Sequence, residues 1–156
     1  VQIHLIAVGK RPPPWVAQGY QEYARRLPPQ CSLRLVEIAP GRHGKEVREK
    51  VLREEGERIL AAIPAGARVV ALDVGGKRWS TEQLAGILNT WLAEGRDVAL
   101  LLGGPEGLAP ACKQRADMAW SLSPLTLPHG LVRIVVAEQL YRAWTVLQHH
   151  PYHRGG

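Results

Sequence analysis

Short apolar runs alternate with stretches of helical periodicity along the whole chain, and that alternation limits the folds open to it. Residues 1–8, VQIHLIAV, alternate apolar and polar at first and then turn wholly apolar, the pattern of a buried strand. Residues 33–38, 68–74, 97–102 and 118–122 read as four further strands. Strand and helix in repeated succession predict one α/β domain over residues 1–156, a mainly parallel sheet flanked by helices.

The intervening stretches carry their own signals. Trp15, Val16, Gly19, Tyr20, Tyr23, Ala24 and Leu27 recur at three- and four-residue steps, a helix face that starts near Pro12, Pro13 and Pro14 and stops at Pro28. Residues 39–45 read as a glycine-containing basic loop. Residues 46–63 read as a charged amphipathic helix that turns Val47, Val51, Leu52, Ile59, Leu60 and Ile63 inward. Gly75, Gly76, Lys77 and Arg78 read as a turn. Ser80 and Gln83 fit a capping box opening a helix to Glu94, closed by Gly95. A short helix is expected at 109–116 and a long one at 130–149. The long one is apolar around most of its circumference, from Leu131 to Leu147, so it needs cover beyond the sheet. A second copy of the chain is the economical partner. Glu138 and Arg142 have the spacing of an intrahelical ion pair.

Composition narrows the function classes. Hydrophobic residues make up 46% and charged residues 22%, ordinary for a globular chain. Apolar runs such as 99–102 are far too short for a bilayer, and residues 1–10 lack the pattern of a secretion signal. Cys31 and Cys112 lie far apart and form no metal knuckle or disulfide framework, so they read as reduced packing residues of a cytoplasmic protein. The net charge is +6, with 15 arginines against 5 lysines. Arginine suits flat, bidentate recognition of phosphate and stacking on bases. A nucleic-acid partner and a merely basic protein fit that charge equally well.

Three stretches are able to carry chemistry. Leu101-Leu102-Gly103-Gly104-Pro105-Glu106-Gly107 follows a buried strand, where α/β sheets bind ligands. It matches neither a dinucleotide fingerprint nor a P-loop, and a tight strand-to-helix turn explains it as well. Residues 121–129, SLSPLTLPH, form a stiff apolar loop before a helix, either an ordinary loop or a seat for a purine ring. The end of the chain, HHPYHRGG, concentrates His149, His150, Tyr152, His153 and Arg154. Its histidines lack acidic or cysteine companions for a metal, so no metal site is expected. Tyr152 and Arg154 fit base stacking and phosphate gripping, and a disordered end fits too. No nucleophile elbow or HExxH motif appears.

Taken together, LLLGGPEGL, WSLSPLTLPHGLVRIVVAEQLYRAW and HHPYHR, with the opening LIAVGK and the turn LDVGGK, closely resemble the RlmH (YbeA) family of SPOUT-class methyltransferases along essentially the whole chain. The resemblance implies S-adenosylmethionine as methyl donor, without a metal, and N3 of a pseudouridine in 23S ribosomal RNA as acceptor. It also implies a cytoplasmic homodimer with a C-terminal trefoil knot, which periodicity would never predict. It assigns Leu72, Gly103, Gly104, Leu122, Ser123, Pro124, Leu125, Thr126 and Leu127 to the cofactor, with the glycines letting backbone meet ligand. His129 or His153 is expected to take the N3 proton. Arg142 or Arg154 is expected to stabilise the resulting anion, and Tyr152 to stack on a base. The tail is expected to be flexible and to reach a pocket across the dimer interface. Two rival classes remain: a non-catalytic RNA-binding or ribosome-associated factor with a methyltransferase fold, and a small-molecule enzyme using a nucleotide cofactor. The basic balance weighs against the second.

Overall fold

The computed structural model describes residues 1–41 and 47–155. Strands β1 (Gln2–Val8), β2 (Ser32–Ile38), β3 (Arg68–Arg78), β4 (Val98–Leu102) and β5 (Met118–Ser121) alternate with helices α1 (Pro14–Ala24), α2 (Arg48–Ala62), α3 (Thr81–Glu94), α4 (Pro110–Arg115) and α5 (His129–Leu147). The strands form one sheet in the order β2-β1-β4-β3-β5, with every pairing parallel. This is the α/β class that the alternation predicts. The expected basic residues 42–45 and helix start at Glu46 lie outside the described residues.

Successive strand residues point to opposite faces, and each face has its own core. Ile3, Leu5, Ala7, Leu100 and Leu102 pack with Tyr20 of α1, Leu84 and Leu88 of α3, and Val136 and Leu140 of α5. Ile6, Val8, Ala99 and Leu101 pack with Leu52 and Ile59 of α2 and Cys112 of α4. Strands covered on both sides must be apolar throughout, which accounts for LIAV and VALLL. Cys31 and Cys112 are free and fully buried. Burial pushes both thiols up to about 11, so they are inert packing residues. At the start of α3, the Ser80 hydroxyl accepts the Gln83 N–H (3.1 Å) and the Gln83 side chain accepts the Ser80 N–H (2.8 Å). Gly95 ends the helix at φ 73°.

Four expectations change. The turn at 75–78 is strand: β3 runs on to Arg78 beside β5. The pairing shifts register, since Leu72 and Lys77 both face Trp120 and the intervening residues bulge outward. A side chain at Gly76 would meet the Ala119 carbonyl carbon at 2.6 Å, so this glycine serves strand packing. Val47 lies before α2 and is 66% exposed rather than inward. The last helix begins at His129 and ends at Leu147. It packs against both α1 and α3, with Ile134 over Gly19 and Gly130 under Val16. Much of its apolar girdle is therefore covered within its own chain. The tail is a 3-10 turn, Pro151–Arg154, docked on α5 rather than a loose end.

Candidate active site

The bulge of β3 and the carboxyl ends of β4 and β5 border a cavity of about 420 Å³, within the range of small-molecule sites. Leu72 reaches it from before the β3 bulge, Leu102 and Trp120 from the ends of β4 and β5, and His129 and Val132 from the first turn of α5. Among the residues assigned to the cofactor, Leu72, Gly103, Gly104, Leu122, Ser123, Leu125, Thr126 and Leu127 line this one cavity, and Pro124 does not.

The loop before α5 is shaped by its serines. Ser121 donates its hydroxyl to the Ser123 carbonyl (3.0 Å), and Ser123 accepts the Leu125 N–H (2.9 Å). The N–H groups of Thr126 and Leu127 find no acceptor in the chain among the described residues. Leu125 is 69% exposed and Val74 58%, an apolar rim left open to water.

The glycine corner also has a cause within the chain itself. Gly104, Pro105, Glu106 and Gly107 form a turn closed by the Gly107 N–H on the Gly104 carbonyl (2.9 Å), with proline at its favoured second position. A side chain at Gly103 would meet the Gly107 carbonyl oxygen at 2.3 Å, and one at Gly104 would meet Val8 at 3.0 Å. Gly103 is required by the chain's own folding, and Gly104 sits close against a side chain.

The β3 bulge contributes a residue that sequence reasoning missed. Asp73, with Val74, enters the lining as its one carboxylate, 3.9 Å from the Lys113 ammonium. The signal was its place after Leu72 near the end of the expected strand 68–74, just ahead of the residues 75–78 that read as a turn. Val132 and Trp120 were missed likewise, the latter stacked on Trp79 with centroids 5.2 Å apart.

His129 is half-buried in the cavity wall, and its Nε2 is buried without a partner. Burial lowers its pKa from the ordinary 6.5, and the nearby Arg133 charge lowers it further against a backbone contact at Gly103. The ring is therefore neutral near pH 7 and able to accept a proton.

Arg142, Tyr152, His153 and Arg154 gather at the other end of α5. Glu138 accepts from Arg142 (2.7 Å to Nη2) and from the Tyr152 hydroxyl (2.9 Å). The Arg142 guanidinium sits 4.8 Å from the Tyr152 ring centre, and Tyr141 meets the same ring edge-on at 4.8 Å. Burial and the bond to Glu138 push the Tyr152 phenol up to about 12. Arg142 and Tyr152 are thus engaged with each other and with Glu138 in this chain. His153 keeps a buried, unpartnered Nδ1, while Arg154 is exposed and unpaired among the described residues. Helix α5 has 19 residues, about 28 Å from end to end; the tail turn folds back along it to Glu138, and no described tail residue is among those lining the cavity. Among the described residues no group of three or more potential ligands is placed to hold a metal.

Residues 1–153 match a family model described as "Predicted SPOUT methyltransferase". The chain is 59% identical over 155 residues to a protein of Methylococcus capsulatus (Bath) named Ribosomal RNA large subunit methyltransferase H, covering 99% of this chain and 100% of that one. A solved structure described as a probable methylase family protein from Haemophilus influenzae Rd KW20 superposes with TM-score 0.54 at 12% identity, over 97% of this chain and 69% of that one. A structure concerned with 2-OH methylation on tRNA superposes with TM-score 0.51 at 19% identity, over 96% and 98%. At such identities these two likenesses speak for fold alone. The family match spans nearly the whole chain, and with it the chain belongs to the SPOUT methyltransferase family.

Proposed function

We propose that the chain transfers a methyl group from S-adenosylmethionine to N3 of a pseudouridine in 23S ribosomal RNA, as a cytoplasmic homodimer built on a knotted single domain. The observation that carries this reading is the cavity at the strand ends, beside a close relative named for large-subunit ribosomal RNA methylation. Among the described residues no helix is long and apolar enough to cross a membrane.

The lining fits the cofactor. Leu72, Leu102, Leu122, Leu127 and Val132 offer an apolar bed for a purine, and the exposed Leu125 would lose its contact with water over a bound ring. The free N–H groups of Thr126 and Leu127 suit the edge of such a base. Asp73 suits ribose hydroxyls or a cationic group. When bound, S-adenosylmethionine supplies a methyl group already activated on a sulfonium, so the protein's task is orientation and proton handling.

His129 is better placed than His153 to take the N3 proton, since it lines the cavity, is neutral and has an unpartnered nitrogen. Arg154, rather than Arg142, is free to hold the resulting anion or a phosphate. Arg142, Glu138 and Tyr152 hold the tail turn in place, so Tyr152 acts as its anchor. The absence of any described tail residue from the lining of its own chain's cavity supports a composite site, with the cavity of one subunit served by the tail of the other.

Calorimetry with S-adenosylmethionine and mass-spectrometric mapping of 23S ribosomal RNA from cells lacking the gene test this together. Expected are a saturable single-site isotherm and one missing methylpseudouridine, restored by the purified protein acting on ribosomes. Cofactor binding with complete modification in the deletion strain would refute the assigned reaction.

A further inference from the structure

A second, smaller cavity of about 190 Å³ lies against the first, with His129 in the wall of both. Its lining joins the corner after β1, including Gly9, Lys10 and Arg11, to Gly130 and Arg133 of α5. Arg133 is 2% exposed. Its Nη1 donates to Glu37 (2.8 Å) and its Nη2 to the Gly9 carbonyl (3.0 Å), while its Nε is buried without a partner. Glu37 is the one acidic group paired with it. Lys10 and Arg11 are exposed and make no ion pair among the described residues. The 19-residue α5 starts here with Pro128 at its cap, no capping side chain and no acidic residue in its first turn.

These features share one chemistry. An uncapped helix start presents free N–H groups and a positive dipole end. A buried guanidinium with an unmade hydrogen bond carries an unrelieved desolvation cost. Two unpaired cations add to that field, and one carboxylate offsets a single charge of the three. An oxyanion would satisfy the helix start and the arginine together. Because the two cavities share His129, an anion held here would lie beside the group being methylated. A nucleic-acid phosphate meets that condition, since phosphates are gripped by arginine, lysine and helix N-termini and fix the register of the strand.

We propose that this cavity is a phosphate subsite, seating an RNA backbone phosphate next to the target nucleotide and so positioning it at the cofactor cavity. The proposal rests on the methylation reading above. It assigns Lys10, Arg11 and Arg133 a positioning role in substrate binding and leaves cofactor binding to the first cavity.

The test is the double variant Lys10→Ala/Arg11→Ala, which removes two exposed, unpaired side chains. Affinity for S-adenosylmethionine by calorimetry should be unchanged. The slope of log affinity for ribosomal RNA against log salt should shrink by about 1 for each cation removed from a phosphate. In steady state, KM for ribosomes should rise with kcat largely retained. An unchanged salt slope and KM overturn the proposal, as does weakened cofactor binding, which would give the site to a cofactor carboxylate. Inorganic phosphate that raises the melting temperature of the wild type but not the variant, with the RNA salt slope unaltered, would make it a free-anion site and overturn it too. Wild-type protein that binds RNA with this salt dependence yet methylates nothing would sink the methyltransferase reading and spare the subsite.

Discussion

Gly103 is the residue where ligand and fold make opposite claims, and a pair of alanine substitutions separates them. A side-chain carbon at 103 would stand 2.3 Å from the Gly107 carbonyl oxygen, 2.5 Å from its carbon and 2.6 Å from the Leu108 nitrogen. Ordinary contact begins at 3.4 Å, so roughly 1 Å must be found by moving backbone rather than a side chain. Overpacking of this kind costs about 1–3 kcal/mol, which for a domain of this size lowers Tm by about 2–12 °C. Gly86 is the control: it is exposed within α3, and a side chain there meets nothing within 4 Å. Gly86→Ala should stabilise the helix by roughly 0.5–1 kcal/mol. Thermal unfolding by circular dichroism reads both, and calorimetry with S-adenosylmethionine is run on each folded variant. Should Gly103→Ala melt with the wild type yet lose the cofactor, the glycine serves the ligand and the packing account is refuted.

Two further outcomes follow from α5. A heterodimer of one subunit lacking residues 152–156 and one carrying Thr126→Trp, an indole placed in the cavity, should retain one working site if the tail acts across the interface. Inactivity of that heterodimer, with cofactor still bound by the tail-deleted homodimer, would place the tail in its own subunit. For His129, the folded pKa lies below the unfolded 6.5, so only the unfolded chain takes up this proton between the two values. Its contribution to stability is full above 6.5 and is lost as pH falls toward the folded value. Urea unfolding across that window should show a steeper acid loss for wild type than for His129→Gln, and identical slopes would refute the lowered pKa.

What the sequence discloses depends on how local the cause is. The capping box at Ser80, the glycine stop at Gly95 and the apolar runs of β1 and β4 are settled by near neighbours, and all are readable. The Gly75-Gly76 pair reads as a turn because glycines usually punctuate strands, yet the pairing of Lys77 and Arg78 with β5, more than 40 residues away, carries β3 past it through a bulge. Arg133 looks like a polar interruption of an apolar helix until Glu37, 96 positions earlier, is brought to 2.8 Å. The cofactor loop is legible through resemblance, whereas Asp73 and the second cavity depend on contacts that no periodicity records. The all-round apolar pattern of α5 does mean burial, but two helices of its own chain supply much of the cover.

Helix α5 also works as a ruler. Its first turn walls both cavities, and past its last turn the chain bends at His149 (φ 57°) to the Tyr152 anchor, which bonds back to Glu138. Each added residue would lengthen the rod by 1.5 Å and swing everything beyond it by about 100°. One insertion between Val132 and Glu138 would therefore turn Glu138, Tyr152 and Arg154 together about the helix axis relative to the cavities, although every side chain of the tail were kept. The reach of the tail is quantised in this way. The loops around the sheet can lengthen by single residues, whereas a change in this segment restores the tail's direction only near whole turns, each of which moves it 5.4 Å along the axis.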